Sequence, residues 1–153
     1  MRIYIMRHGD AVAQAKTDAQ RPLSDYGRAQ AQSMVRYLIE QPPTKLMASP
    51  YLRAQQTATL VQQGLAQEGI NIPLTTAPFI TPNDSPKQVI EQLEDEQTER
   101  LMLVSHQPLV GSLFTLLVEG HNMGCPVNTA SIMCLETEYV GTGQASALWV
   151  KQP

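Results

Sequence analysis

The chain has 153 residues, of which 42% are hydrophobic and 16% charged, and its formal net charge is −3. This length predicts a single domain over residues 1–153 with a core of its own, and the slight acidity argues against nucleic acid or an anionic membrane as the main partner. No stretch approaches the ~20 apolar residues of a membrane span, and two cysteines outside any paired motif favour a cytoplasmic protein with reduced thiols.

The first predicted elements are a strand and a helix. The apolar, β-branched run Arg2–Met6 predicts a strand, and Asp10 to Leu23 predicts an irregular segment. Ser24 is expected to cap a helix that reaches about Glu40. The side chains expected to face inward on that helix are Tyr26, Ala29, Met34, Tyr37 and Leu38.

A second strand and helix follow. Lys45–Ala48 predicts a short strand. Ser49 and Pro50 predict an N-cap and a first helical position for a helix that ends near Gly69. Ile72–Ile80 predicts a third strand.

The second half of the chain continues the alternation. Further elements are predicted as a helix from Ser85 to about Glu96, a buried strand at Leu101–Val104, a helix from Pro108 to Gly120, a loop over 121–129, and a hairpin of Ser131–Glu136 with Ala145–Val150. Repeated strand–helix alternation predicts an α/β three-layer sandwich, with a mostly parallel central sheet and helices on both faces.

Charged and imidazole side chains follow three of the predicted strands. Arg7 and His8 end the first, Arg53 lies in the first turn of the helix after the second, and His106 follows Leu101–Val104. The carboxyl ends of parallel strands meet at one edge of a sheet, where α/β proteins bind ligands. Two imidazoles beside two guanidinium groups predict a phosphoryl site, with a neutral His8 as nucleophile and the arginines as anion clamps. Gly9 would let the backbone approach such a ligand closely.

Three nearby side chains admit more than one role. Arg21 is predicted either to contact substrate or to anchor its loop to Asp18 or Asp25. Asp10 and Asp18 are candidate acids for the reaction, although solvated loop carboxylates are the commoner case.

Three spaced motifs, Met6–Asp10, Ser49–Ala58 and Ser105–Leu109, resemble the core motifs of the histidine phosphatase superfamily, which has a phosphoglycerate-mutase-like fold. Within it the chain is most similar to the SixA-type bacterial protein phosphohistidine phosphatases. That narrower similarity is carried by Arg21–Ser24 and by Gly27 with the arginine that follows it.

The resemblance implies a role for each motif residue. His8 matches the nucleophile that forms a transient phosphohistidine, and Arg7 and Arg53 match the arginines that grip the phosphoryl oxygens. His106 matches the histidine that donates a hydrogen bond to those oxygens, and Arg21 and Gly9 are carried as substrate-binding residues. Neither a metal nor another cofactor is implied.

The interval between Arg53 and His106 is short. Its 52 residues are nearly filled by two helix patterns and one strand, which predicts a minimal fold without a lid insertion and a shallow site. Within this interval, the segment Thr81 to Asp84 offers only Asp84 as a nearby acid. Losing a general acid costs on the order of 10²–10⁴ in the rate of ester cleavage, whereas the P–N bond of phosphohistidine is already labile.

The sequence therefore predicts a monomeric phosphohistidine phosphatase that acts on a signalling or phosphotransfer protein, such as a histidine phosphotransfer domain. Two alternatives remain open at this point. One is a small-molecule phosphomonoesterase or mutase of the same superfamily, and the other is a non-catalytic phosphate-binding module.

Overall fold

The computed structural model describes residues 1–153, which form six strands and four α-helices. The strands β1 to β6 span Arg2–Arg7, Lys45–Ala48, Leu74–Thr76, Arg100–Ser105, Ile132–Glu136 and Ser146–Lys151. The helices α1 to α4 span Asp25–Met34, Leu52–Gln67, Pro86–Gln92 and Leu109–Glu119. Short 3-10 helices form at Asp18–Gln20 and Val35–Tyr37.

All six strands belong to one sheet with the order β3-β2-β4-β1-β5-β6. The first four strands of that order run parallel, while β5 and β6 pair antiparallel, β5 with β1 and β6 with β5. The mostly parallel sheet and the C-terminal hairpin are both confirmed. Strand β4 lies between β1 and β2, so the residues that follow these three strands emerge side by side.

Helices cover both faces of the sheet, as predicted. Tyr4 and Met6 of β1 pack into a cluster with α1 and α2, whereas Ile3 and Ile5 pack into a cluster with α3 and α4. Successive residues of a strand point to opposite faces, so β1 contributes to both halves of the core. No helix is both long enough and apolar enough to cross a bilayer.

Helix α1 differs from its prediction in length and in the face that it buries. It ends at Met34 and continues as a 3-10 turn, while Ser24 caps its start by accepting a hydrogen bond from the amide of Gly27. Tyr26 and Ala29 were expected inside but are exposed. The buried side of the helix consists of Gly27, Gln30, Ala31 and Met34, a helical spacing that excludes both.

Three other boundaries also differ. Helix α2 begins at Leu52 with Tyr51 as its N-cap, so the predicted capping role of Ser49 is wrong. Strand β3 is limited to three residues because it pairs with β2 only over that stretch. Helix α3 ends at Gln92, although Ser85 caps it as predicted.

Candidate active site

Three side chains from the predicted motifs meet at the carboxyl edge of β1, β4 and β2. His8, Arg53 and His106 are 6%, 3% and 1% exposed, respectively, and the two imidazole centroids lie 5.1 Å apart. The convergence follows from the strand order, because β4 brings His106 between the residues that follow β1 and β2.

Hydrogen bonds fix the tautomer of His8. Its Nδ1 lies 2.7 Å from the carbonyl oxygen of Gly9, which can only accept, so Nδ1 carries the proton. Its Nε2 lies 3.2 Å from Nε of Arg53, which can only donate, so Nε2 is the unprotonated nitrogen and its lone pair accepts that hydrogen bond. The nitrogen available for nucleophilic attack is therefore Nε2.

Burial lowers the pKa of His8 to about 4; the hydrogen bond to Gly9 opposes this shift, and Arg53 and Arg7 add to it. Burial also lowers the pKa of His106 to about 3, with further lowering by His8 and Arg53. Both rings are consequently neutral at pH 7, as a nucleophilic imidazole requires.

The guanidinium group of Arg53 is held on two of its edges. Nε faces His8, while Nη1 donates to the backbone carbonyl of Asp18 over 2.7 Å and Nη2 donates to Oδ2 of Asp18 over 3.1 Å. The same carboxylate accepts from Arg21, whose Nε lies 2.9 Å from Oδ1. Of the two anchors considered for Arg21, the structure shows Asp18 and not Asp25; contact between Arg21 and substrate stays a prediction.

His106 is supported by Ser49, which is fully buried. The hydroxyl of Ser49 lies 2.7 Å from Nε2 of His106 and accepts a hydrogen bond from the amide of Tyr51 at 3.3 Å. In the tautomer in which this hydroxyl donates to Nε2, the protonated nitrogen of His106 is Nδ1. That Nδ1 is buried without a protein partner. Buried polar groups normally have a hydrogen-bond partner, so this nitrogen is a candidate to bind an oxygen of a ligand.

Arg7 reaches a different side of the site. It donates from Nη1 to the carbonyl of Val127 over 2.8 Å, while its Nε is buried without a protein partner. Burial lowers the pKa of Arg7, and the charge of Arg53 lowers it further. Two guanidinium groups within electrostatic range of each other favour an anion between them.

Both backbone polar groups of Gly9 form hydrogen bonds with side chains of the protein. Its N–H donates to Oγ1 of Thr57 over 3.1 Å, and its carbonyl accepts from His8. A Cβ at Gly9 would lie 2.5 Å from the carbonyl oxygen of Gly27, so glycine is required here by contact with α1. Direct contact between Gly9 and substrate stays a prediction.

The candidate acids are all engaged elsewhere. Asp10 accepts a hydrogen bond from Ser24 over 2.6 Å, and Asp84 accepts from the amide and hydroxyl of Thr81 over 2.7 and 2.6 Å. The hydrogen bond from Arg21 and the nearby Arg53 hold the pKa of Asp18 below its usual value, so it is ionised at pH 7 and is a poor proton donor.

Sequence reasoning missed Ser49, Tyr51 and Thr57. The ring of Tyr51 packs edge-on against His106 with centroids 5.0 Å apart and lies 5.1 Å from Cζ of Arg53. Thr57 is fully buried and anchors the Gly9 amide. All three lie within the second motif, but nothing in their spacing shows contacts to residues about fifty positions away.

The candidate site has no separate lid element. No element is inserted between Arg53 and His106 beyond the rest of α2, β3, α3 and β4, as the short interval indicated. His8, Arg53 and His106 are nevertheless almost fully covered by protein atoms, and the shallowness of the site stays a prediction. The cover comes from the segment before α1, which places Asp18 on Arg53, and from Tyr51.

Comparison with known proteins shows the family to which this chain belongs. The sequence profile of the histidine phosphatase superfamily (branch 1) matches residues 3–76. A phosphohistidine phosphatase SixA homolog of Haemophilus influenzae is 36% identical over 132 residues, which cover 80% of each chain. The chain belongs to the histidine phosphatase superfamily.

One further sequence relative and two solved structures are also similar to this chain. Phosphohistidine phosphatase SixA of Escherichia coli is 34% identical over 127 residues, covering 78% of this chain and 76% of that protein. The structure of the protein histidine phosphatase SixA complexed with tungstate superposes with a TM-score of 0.87 at 29% identity, covering 100% of this chain and 97% of that one. The alpha-ribazole phosphatase from Shigella flexneri shares the fold, with a TM-score of 0.73 at 19% identity over 100% of this chain and 96% of that one.

Proposed function

We propose that this protein is a phosphohistidine phosphatase that hydrolyses phosphohistidine on another protein through a covalent intermediate on His8. The observation that carries the proposal is the state of His8: a neutral ring whose Nδ1 is tied to Gly9 and whose Nε2 faces the guanidinium group of Arg53. Similarity to the two SixA relatives supports the choice of phosphohistidine as substrate.

In the first step the lone pair of His8 Nε2 attacks phosphorus in line with the scissile P–N bond of the substrate. A bond from Nε2 to phosphorus forms, and the bond from phosphorus to the substrate imidazole breaks. A substrate imidazole protonated on its other ring nitrogen leaves as neutral imidazole. Arg7, Arg53 and Nδ1 of His106 stabilise the charge on the equatorial oxygens.

In the second step water attacks phosphorus and the bond to His8 Nε2 breaks. Inorganic phosphate is released, and the proton lost by water goes to solvent or to the phosphate itself. Gly9 keeps the His8 ring in one tautomer through both steps, since its carbonyl continues to accept from Nδ1.

The engaged acids favour a P–N bond over a phosphate ester. An alkoxide leaving group needs a proton donor, and Asp10, Asp18 and Asp84 are each bound to hydroxyl, amide or guanidinium groups. A phosphoimidazole carries its proton on the leaving ring and does not need such a donor. This argument disfavours the phosphomonoesterase alternative.

The remaining properties belong to the same proposal. We infer that residues 1–153 act as one domain, as a cytoplasmic monomer, on a partner such as a histidine phosphotransfer domain. The catalytic groups are His8, Arg7, Arg53 and His106, and Arg21 contacts the substrate next to them.

The test is incubation of the protein with a phosphorylated histidine phosphotransfer domain, with release of inorganic phosphate as the readout. We expect release by the native protein and none by His8→Ala. High turnover on sugar or glycerate phosphates without action on phosphohistidine would instead support the phosphomonoesterase alternative.

A trapping experiment separates catalysis from simple binding. Quenching during turnover should leave an acid-labile, base-stable phosphoryl label on His8. A protein that binds phosphohistidine protein but never acquires this label and releases no phosphate would be a phosphate-binding module.

A further inference from the structure

Asp18 joins two arginines that come from different parts of the chain. Its Oδ1 accepts from Arg21 and its Oδ2 from Arg53, at 2.9 and 3.1 Å. Its backbone carbonyl accepts a second hydrogen bond from Arg53, at 2.7 Å. The Asp18 side chain itself is 57% exposed, whereas that of Arg53 is 4% exposed.

The contacts with Asp18 use one particular edge of Arg53. A guanidinium group is a rigid planar fork with five N–H donors, and its end edge consists of Nη1 and Nη2. Asp18 takes that end edge through its carbonyl and carboxylate oxygens. The side edge, which includes Nε, is turned toward Nε2 of His8. Asp18 therefore does not block the donors that face the nucleophile.

We propose that Asp18 is a positioning residue, which clamps the end edge of Arg53 so that its Nε edge faces the phosphoryl group held at His8. The inference rests on the proposed function, because it takes Arg53 to be a ligand of the phosphoryl oxygens. Since the same carboxylate binds Arg21, Asp18 also fixes the distance between the two guanidinium groups.

The positioning role and simple electrostatics predict opposite changes in anion binding when the charge of Asp18 is removed. A carboxylate near an anion site repels the anion, so removing its charge without any change of geometry would strengthen anion binding. The same result is expected if Asp18 acts as an internal competitor of phosphate for Arg53. Positioning predicts the opposite, because a released Arg53 loses its preorganised geometry.

The probe is tungstate, measured by isothermal titration calorimetry on the full chain. We expect Asp18→Asn to weaken tungstate binding about tenfold, which corresponds to one weakened charge-assisted contact. The matched control is Asp25→Asn, which makes the same chemical change at an exposed position in α1 that forms no ion pair; it should bind as the native protein does. Unchanged or tighter binding by Asp18→Asn would overturn the proposal.

A double-mutant cycle with Arg53→Lys separates positioning from a general structural effect. Lysine has a single ammonium group and no fork to aim, so Asp18→Asn should have no further effect in that background. An equal tenfold loss in both backgrounds would show that Asp18 acts through the fold, which contradicts the proposal. Thermal unfolding of each variant checks that the fold is retained.

The outcomes distinguish this inference from the proposed function. A native protein that binds tungstate but does not cleave phosphohistidine contradicts the function alone. A native protein that cleaves phosphohistidine, with Asp18→Asn binding tungstate equally well, contradicts only the positioning role. A native protein that does not bind tungstate contradicts both.

Discussion

Both edges of the sheet carry arginines, but the partners and the burial of these arginines differ between the edges. At the amino edge, a cleft of about 360 Å³ is lined by Arg2, Arg100 and several glutamates. There Arg2 pairs with Glu136 at 3.7 Å, and Arg100 pairs with Glu99 at 2.9 Å and donates to a backbone carbonyl. At the carboxyl edge Arg53 is buried and Arg7 is partly buried beside two neutral histidines, and donors on Arg7 and His106 have no protein partner.

The difference shows that a cleft and a pair of arginines do not make an anion site. Arg2 and Arg100 are partly exposed and already have carboxylate partners, so they gain little from a further anion in water. At the carboxyl edge Nε of Arg7 has no protein partner, and the Nε edge of Arg53 faces His8 and not a carboxylate. An anion bound there gains more, because the surrounding dielectric is low. Three substitutions at the carboxyl edge, each with a matched substitution elsewhere, and two pH dependences test this difference.

The largest effect is expected from His8. His8→Ala removes the nucleophile and should lower kcat/KM on a phosphorylated phosphotransfer domain by at least about 10³-fold. The matched control is His121→Ala, since His121 is half exposed and pairs with Glu119 away from the site. Comparable activity of His8→Ala and the native protein would contradict the mechanism.

Arginine substitutions test the comparison of the two edges directly. Arg53→Ala should lower kcat/KM by about 10²- to 10³-fold, since it removes transition-state contacts in a buried site. Arg100→Ala at the amino edge should leave kcat/KM unchanged. Equal losses in the two variants, each with its folded state verified by circular dichroism, would mean that the two edges do not differ in function.

A smaller effect is expected for the support of His106. Ser49→Ala removes the hydroxyl that bonds Nε2 of His106 and should lower kcat/KM about tenfold by freeing the ring and its tautomer. Ser33→Ala removes an exposed hydroxyl that bonds only the carbonyl of Gln30 and should have no effect. A normal rate for Ser49→Ala would show that His106 is oriented without it.

The smallest effect is a pH dependence that should be nearly flat. Because burial lowers the pKa of His8 to about 4 and that of His106 to about 3, both stay neutral across the range in which an ordinary histidine titrates near 6.5. Between pH 5.5 and 7.5 their ring resonances in NMR spectra should move little, and protonation should appear only as the pH falls toward 4. A midpoint near 6.5 for either ring would contradict the burial argument.

The same lowered pKa values predict how the free energy of unfolding changes with pH. The unfolded chain binds protons at these histidines as the pH falls below about 6.5, while the folded protein does not until the pH falls to about 4 or lower. The free energy of unfolding is therefore expected to decrease over this interval. Urea titrations at pH 7 and pH 5 measure the change, and replacement of His8 by asparagine should reduce it.

Much of the fold could be predicted because local patterns coincide with its main elements. The β1 run, the buried β4 run and the C-terminal hairpin lie within about one residue of their predicted positions. The errors fall where tertiary contacts override local signals. Ser49 precedes a proline, as an N-cap often does, but its hydroxyl binds His106.

The sequence could predict which residues form the candidate site, but it could not predict the contacts among them. Sequence placed His8, Arg53 and His106 at one sheet edge through strand parallelism, and the structure brings them together there. The sequence did not decide whether Asp18 is an acid for the reaction or a solvated carboxylate, because a 3-10 turn with exposed residues gives no periodic signal. The pairing with Arg53 depends on how the segment before α1 folds back over α2.

The contact between Gly9 and Gly27 has a consequence for how the protein can vary. A Cβ at Gly27 would lie 1.9 Å from the carbonyl oxygen of Asp10, and a Cβ at Gly9 would lie 2.5 Å from the carbonyl of Gly27. Neither position can gain a side chain unless α1 withdraws from the chain that follows His8. Gly27 of α1 thus constrains where His8, the proposed nucleophile, can lie, and loss of activity in a natural variant can originate in the packing of a helix.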